Sequence, residues 1–319
     1  MNVLITGSSG FLGSNFVRNF KCSGWKVTGF DVRSPVFAIP DSFVLGDVRD
    51  SALVSEALRT FKPDIVLHLA ACSTVQQGVK APSETWSVNY GGTKSILQAV
   101  NDLLPDSFFV YASTDKVYGE LIQAGGYTED MPLSPLLTSP YDCSKAEADK
   151  LVRSYSRTFI LRFCNIYGPF DESRSRVVPS GIRAVLEGKP PVLKRYADSE
   201  EGTKDFFRDM FFVGDLADTV RRFFTLLMSG ASFGGYSVFN LGTSDPISMK
   251  NVLEEISRTL NFPEPPEERI ISGSDEIHMQ SMNCSRAKKY LGFSPATSLE
   301  DGIRETVKWW KEYREVVIK

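Results

Sequence analysis

Short apolar runs alternate with amphipathic stretches through the first half of the chain. Residues 3–6, 27–31, 43–46, 65–69 and 108–112 read as strands, and 12–22, 51–60, 84–102 and 140–157 as the helices between them. Strands that are apolar on both faces and alternate with helices predict a parallel sheet covered on both sides, an α/β doubly wound arrangement. Trp86, Ile96, Leu97 and Val100 supply the apolar faces of one long helix, and Ala146, Ala148, Leu151 and Val152 those of the helix that follows Pro140.

The second half is less regular. Pro169, Pro179, Pro190-Pro191 and Pro246 punctuate it, and Pro263, Pro265 and Pro266 mark a loop. Helices are expected at 176–187, 214–229, 247–260, 285–291 and 299–312, and the charged stretch 194–205 reads as a surface loop. The expected organisation is a nucleotide-binding domain over residues 1–165, to which the segment 206–229 returns. A smaller substrate-binding domain is then built mainly from residues 166–319.

Composition narrows the possibilities. The chain has 319 residues, 42% hydrophobic and 24% charged, as in ordinary globular proteins. Its net charge of −3 provides no basic footprint for nucleic acid. No apolar run approaches the ~20 residues of a membrane span. The chain opens on a strand pattern with no leader-like segment. Five scattered cysteines read as reduced thiols of a cytoplasmic protein. Two histidines, His68 and His278, give little support to a metal site, and none is expected. His68, inside an apolar strand, reads as a core residue, and Trp309-Trp310 as the contact that docks the last helix.

Gly7-Ser8-Ser9-Gly10-Phe11-Leu12-Gly13 follows the first strand and opens a helix. Glycines there allow a tight turn and bring backbone N–H groups and a helix N-terminus to a pyrophosphate. Asp31 ends the second strand about 20 residues on, where a carboxylate takes the ribose hydroxyls of a dinucleotide and repels a 2′-phosphate. NAD is therefore expected rather than NADP, although Arg33 is nearby. Asp47 and Val48 follow the third strand, where Asp47 could reach the adenine or simply make a turn. Leu69, Ala70 and Ala71 end the fourth strand with little bulk beside the cofactor.

Tyr141 and Lys145 are four residues apart, hence on one helix face. An ammonium next to a phenol favours the phenolate, so the Tyr141 pKa is expected to fall. Such a tyrosine can exchange a proton with a sugar hydroxyl while hydride moves to a cofactor. The Thr114 hydroxyl can hold the same substrate oxygen.

These motifs together resemble the extended short-chain dehydrogenase/reductase family, NAD-dependent enzymes that act on nucleotide-activated sugars. The resemblance continues through Arg162-Phe163-Cys164-Asn165-Ile166-Tyr167-Gly168-Pro169, Arg208-Asp209, Phe239-Asn240-Leu241-Gly242 and Leu291-Gly292-Phe293-Ser294-Pro295, and so spans the chain. It implies a Rossmann-type sheet with a smaller C-terminal domain and a tightly held NAD reduced and reoxidised within each turnover. It further implies catalytic roles for Thr114, Tyr141 and Lys145, with Lys145 also on the nicotinamide ribose. Asn165 and Arg208 match positions that bind the diphosphate of the sugar nucleotide, and Asn89 one that steadies the cofactor end of the site. A homodimer, joined through the helices 84–102 and 140–157, is also implied.

Asp115 and Lys116 follow Thr114 where a 4,6-dehydratase needs an acid for the departing C6 hydroxyl and a base for C5. The motif resembles the Thr-Asp-Glu of dTDP-glucose 4,6-dehydratases with Lys116 in place of the glutamate. The Asp-Lys pair itself resembles CDP-glucose 4,6-dehydratases. Sugar 2-epimerases also carry a lysine here, so a C4 or C2 epimerase is the alternative, and a non-catalytic NAD-binding sensor a more distant one. Arg174 and Arg176 read as loop residues able to meet a phosphate.

Overall fold

The computed structural model describes residues 1–120, 125–134, 136–198, 202–271 and 277–317. In chain order the first half contains β1 (Asn2–Thr6), α1 (Phe11–Cys22), β2 (Lys26–Asp31), β3 (Ser42–Leu45), α2 (Ser51–Phe61), β4 (Ile65–His68), α3 (Val75–Lys80), α4 (Pro82–Trp86), α5 (Thr93–Leu103), β5 (Phe108–Thr114) and α6 (Pro140–Arg153). The second half contains β6 (Thr158–Phe163), β7 (Asn165–Tyr167), α7 (Val177–Leu186), β8 (Val192–Asp198), β9 (Gly202–Asp205), β10 (Phe207–Phe212), α8 (Val213–Met228), β11 (Val238–Leu241), β12 (Pro246–Ser248), α9 (Met249–Leu260), β13 (Glu267–Ile271), α10 (Ser285–Leu291) and α11 (Leu299–Val317).

Among the described residues, seven strands form one sheet in the order β11-β6-β5-β4-β1-β2-β3. Every neighbouring pair in it is parallel. The chain order reverses at β1, which lies between β2 and β4, and open α/β sheets bind ligands at the carboxyl ends of such strands. Phe16, Phe20, Val220, Phe223 and Phe224 of α1 and α8 pack on one face. Val54, Leu58, Ile96, Leu97, Val100, Ala148 and Val152 of α2, α5 and α6 pack on the other. A separate core of Ile182, Leu193, Phe206, Leu253, Ile256, Ile303 and Trp310 holds the smaller unit together.

Four expectations change. Two sheet strands, β6 and β11, were not anticipated; β6 carries Arg162 in mid-strand and β11 carries Asn240, polar residues that interrupt the apolar pattern. The stretch 194–205 is no loop where it is described: β8 pairs with β9 and β13. Its charges face opposite charges across the ladder, Arg195 lying 2.9 Å from Asp205 and 3.3 Å from Glu268. Residues 199–201 lie outside the described part. The long helix 84–102 runs instead as α4, a π-helical turn over Ser87–Gly92, and α5. Its Ile96, Leu97 and Val100 are buried against the sheet, whereas Trp86 is 39% exposed. The helix after Pro140 stops at Arg153, four residues before the expected end.

One buried ion pair fastens α6 to the sheet. The Arg162 guanidinium donates through Nε to Asp149 Oδ2 at 2.9 Å and through Nη2 to Oδ1 at 2.8 Å, with both side chains fully buried. The Ser113 hydroxyl also donates to Asp149, at 2.8 Å. The third guanidinium nitrogen donates to the Tyr118 hydroxyl, which donates to Asn240 of β11. Removing one partner leaves a buried charge uncompensated. Asp149→Leu or Arg162→Met alone should lower unfolding free energy by about 3–5 kcal/mol in urea, and the double variant should lose less than the two single losses combined. Additive losses would mean that the two residues are not coupled.

Candidate active site

The glycine turn lies at the carboxyl end of β1. Gly7 has φ +70°. A Cβ on Gly7 would lie 2.8 Å from Ala70 N, and one on Gly13 would lie 2.1 Å from Gly7 O. Both positions thus require glycine, for backbone contact inside the turn as much as for a ligand. The first turn of α1 has no side-chain cap and no acidic residue. Asp50, Thr74 and Ser248 cap α2, α3 and α9, whereas α4, α6, α7, α8 and α10 begin uncapped like α1. The α1 N-terminus, with Phe11 and Leu12 in its first turn, thus keeps backbone donors and its positive dipole end for an anion.

Asp31 is buried at the end of β2, where its carboxylate accepts from Ser9 N at 3.0 Å and Arg33 N at 2.9 Å. It is therefore held beside the glycine turn, with Arg33 contributing backbone. Leu69 and Ala70 pack at the turn, their N–H groups bonding to the Thr6 carbonyl and hydroxyl, and Ala71 follows. Asp47 is engaged by Arg49 at 2.6 Å, which keeps its carboxyl below the usual range, and it also accepts from Arg49 N in the turn after β3. Val48 is buried, and a Cβ on Gly92 would come within 2.6 Å of its side chain. The uncapped helix, the glycine cradle and the fixed Asp31 carboxylate suit the pyrophosphate and ribose of NAD.

Asn89 sits in the π-helical turn, a feature frequent near functional sites. Its carbonyl oxygen accepts from Cys72 N at 2.8 Å, and its amide donates to Cys72 O at 3.2 Å and Ser144 Oγ at 3.0 Å. It therefore ties the loop after β4 to α6. His68 is a core residue, its ring lying 2.7 Å from the Thr6 hydroxyl and 2.9 Å from that of Thr93. Burial, aided by the Lys145 charge, lowers its pKa to about 3.

Along α6, Tyr141, Lys145 and Asp149 recur every fourth residue and meet the end of β5. The Lys145 ammonium donates to Ala112 O and lies 4.1 Å from the centre of the Tyr111 ring. Burial draws its pKa down to about 7, against the opposing pull of Asp149. The Tyr141 phenol, close to the Thr114 hydroxyl, moves the other way from expectation. Burial first, then the carboxylates of Asp142 and Asp115, raise its pKa, while Thr114 and Arg176 only soften the effect. The reason is tertiary: the phenol is shut away from water, which helix spacing does not reveal, and that burial outweighs the charges around it. Gly78 of α3 covers the tyrosine so closely that a Cβ there would lie 2.9 Å from Tyr141 N.

Asp115 begins a 3₁₀ turn after β5. It is fully enclosed, its Oδ1 accepts from the Thr114 hydroxyl at 3.1 Å, and its Oδ2 has no partner. Burial lifts its pKa to about 6, opposed by Lys116, Thr114 and Arg208. Asp142, beside Tyr141, is raised to about 6 in the same way, and the Lys116 charge acts on both. Sequence reasoning passed over Asp142, although it lies inside the tyrosine–lysine motif. Arg176 is no free loop residue either: it pairs with Asp171 at 2.7 Å and lies 5.6 Å from the Phe11 ring centre.

Arg208 on β10 is buried and donates to Phe207 O at 2.9 Å and His278 O at 3.1 Å. Neighbouring Asp209 accepts from Thr243, Ser244 and Met282. Asn165 on β7 pairs with Met210 of β10, and its amide nitrogen is buried without a partner. Thr114, Asp115, Tyr141, Asn165 and Arg208 thus converge from both halves of the chain on the carboxyl end of the sheet.

The model of the NAD dependent epimerase/dehydratase family matches residues 3–242. The chain is 32% identical to a dTDP-glucose 4,6-dehydratase of Xanthomonas campestris pv. campestris, across 96% of this chain and 92% of that one. The crystal structure of a dTDP-glucose 4,6-dehydratase from Bacillus anthracis in complex with NAD superposes with a TM-score of 0.82 at 27% identity, covering 99% of this chain and 98% of the other. A UDP-glucose 4-epimerase of Thermus thermophilus in complex with NAD gives 0.84 at 28%, covering 98% and 99%. Matched by this family model over most of its length and by relatives across nearly all of it, the chain belongs to the NAD dependent epimerase/dehydratase family.

Proposed function

We propose that the chain is a nucleotide-sugar 4,6-dehydratase. The observation that carries this reading is Asp115: a buried carboxyl beside Thr114, held near pKa 6, with one oxygen unpartnered. A carboxyl kept partly protonated at neutral pH can donate a proton to a departing hydroxyl, a task an epimerase does not need. NAD held by the glycine turn and Asp31 would supply the acceptor and donor of the hydride exchanged at C4 and C6, and a positive ring charge that favours the Tyr141 phenolate.

In this reading Tyr141 removes the C4 hydroxyl proton while Thr114 holds that oxygen, and Lys145 orients the ribose. Loss of hydride leaves a carbonyl at C4, which acidifies the C5 hydrogen. Lys116 in its neutral form takes that proton as Asp115 protonates the C6 hydroxyl, which leaves as water; the proton goes back to C5 as hydride reaches C6. Asn165 and Arg208 hold the diphosphate, for which a two-pronged guanidinium is well suited.

The second reading, a C4 or C2 epimerase, draws support from the similarity to the Thermus thermophilus epimerase. No helix among the described residues is long and apolar enough to cross a membrane. We also propose a cytoplasmic homodimer. The exposed Val79 and Trp86 on α3 and α4 support an interface there, because the apolar face of α5 is already covered by the sheet. A monomer in light scattering would remove that part.

Protein incubated with NAD and dTDP-, UDP- or CDP-glucose should form a product lighter by one water that develops near-UV absorbance in alkali. An isomer of unchanged mass would instead establish the epimerase. Asp115→Asn should lower water loss by about 10²–10⁴-fold while single-turnover NADH formation persists; Tyr141→Phe should abolish both. If Asp115→Asn dehydrates at the parental rate, Asp115 is not the acid.

Asp115 also sets a pH dependence of stability. Its folded-state pKa of about 6 lies above the ordinary 3.8, so the folded chain binds the extra proton between those values. Stability therefore falls as pH rises through that window. Asp115→Asn should unfold later than the parent in urea above pH ~6, by about 1–3 kcal/mol, with no such advantage below pH ~4. An equal difference at both pH values would contradict the buried-carboxyl account.

A further inference from the structure

Gln280 is wholly buried, and neither its amide oxygen nor its amide nitrogen has a hydrogen-bond partner. Native interiors rarely leave both ends of an amide unfilled, so such a group points to something that binds there. The backbone fixes its location. Gln280 N donates to Phe207 O at 3.1 Å and Asp209 N donates to Gln280 O at 3.1 Å, which sets Gln280 directly beside Arg208. Two residues along β10, Met210 pairs with Asn165. Residues two apart on a strand share a face. Gln280, Arg208 and Asn165 therefore occupy one face, where the Asn165 amide nitrogen is also unpartnered. Asp115, with its own unpartnered oxygen, is close enough to feel the Arg208 charge.

The chemistry of these groups differs. A guanidinium and an amide nitrogen donate only, which suits phosphate oxygens. An amide oxygen accepts only, and facing a phosphate it would meet a second acceptor. Either orientation of the Gln280 amide leaves both a donor and an acceptor to be filled. A hydroxyl, which donates and accepts, fills both.

Building on the nucleotide-sugar reading above, we propose that Gln280 binds a sugar hydroxyl of the substrate next to the diphosphate held by Arg208 and Asn165. Two rings flank a diphosphate in such a substrate, the nucleotide ribose and the hexose, and either offers this chemistry.

The test uses Gln280→Met, which keeps the bulk and removes both hydrogen-bonding ends. Affinities of the parent and the variant for dTDP-, UDP- and CDP-glucose, and for the three free diphosphates, are measured by calorimetry alongside thermal unfolding without ligand. The variant should bind the parent's preferred nucleotide sugar about tenfold more weakly. It should also unfold at the same or a higher temperature, because a buried amide without partners has gone. Equal weakening of the free diphosphate places the contact on the nucleoside side of the diphosphate; weakening of the nucleotide sugar alone identifies the hexose. Unchanged affinity in the variant overturns the assignment while leaving the nucleotide-sugar reading intact, and a lower unfolding temperature without ligand overturns it in favour of a structural glutamine. A parent that binds none of the six probes removes the nucleotide-sugar reading and the Gln280 assignment with it.

Discussion

The site depends on the bidentate contact between Arg162 and Asp149. A guanidinium in the middle of a parallel strand is tolerable only when its charge is met, and Asp149 on α6 meets it with both oxygens. The pair sets the axial position of α6 against β5 and β6. The turns nearer the helix N-terminus then fall where the chemistry needs them. Lys145 reaches the carbonyl of Ala112, and Tyr141 comes to the Thr114 hydroxyl. A slip of one residue along the helix would turn all three side chains away from the strand, since a step of one is about 100° of rotation.

Burial does most of the electrostatic work around this helix. It lifts Tyr141, Asp115 and Asp142 and lowers Lys145, in each case disfavouring the charged form. The result brings Asp115, Asp142 and Lys145 to pKa values of about 6, about 6 and about 7, so that each changes charge close to neutral pH. Spacing on a helix therefore proved a poor guide to the tyrosine's acidity. The same burial that works against a phenolate gives Asp115 the partly protonated state required of an acid. The stability lost by enclosing that carboxyl is what the proposed acid role would require, as is common where activity needs a strained group.

Much of the cofactor end could be read from the chain. The strand–glycine–helix order and Asp31 lie within one local segment, so their spacing alone carries their geometry. The sheet was less legible where polar residues are buried in partnership. Arg162 hid β6, Asn240 hid β11, and the charge pairs of Arg195 hid the ladder of β8, β9 and β13. Asp142 stood inside a motif that had been read, while Gln280 had no local signal, since its importance comes from lying beside Arg208, seventy-two residues earlier.

The amino-acid order by itself determined the alternation of elements, the phosphate-accepting turn and the identity of the Thr-Tyr-Lys group, because each depends on neighbours within a few residues. Only the tertiary structure decided which ionisable groups are shut away from water, which charges reach them, and which unsatisfied amides gather around Arg208. Those are consequences of desolvation and of contacts between distant segments, and neither is encoded in local spacing.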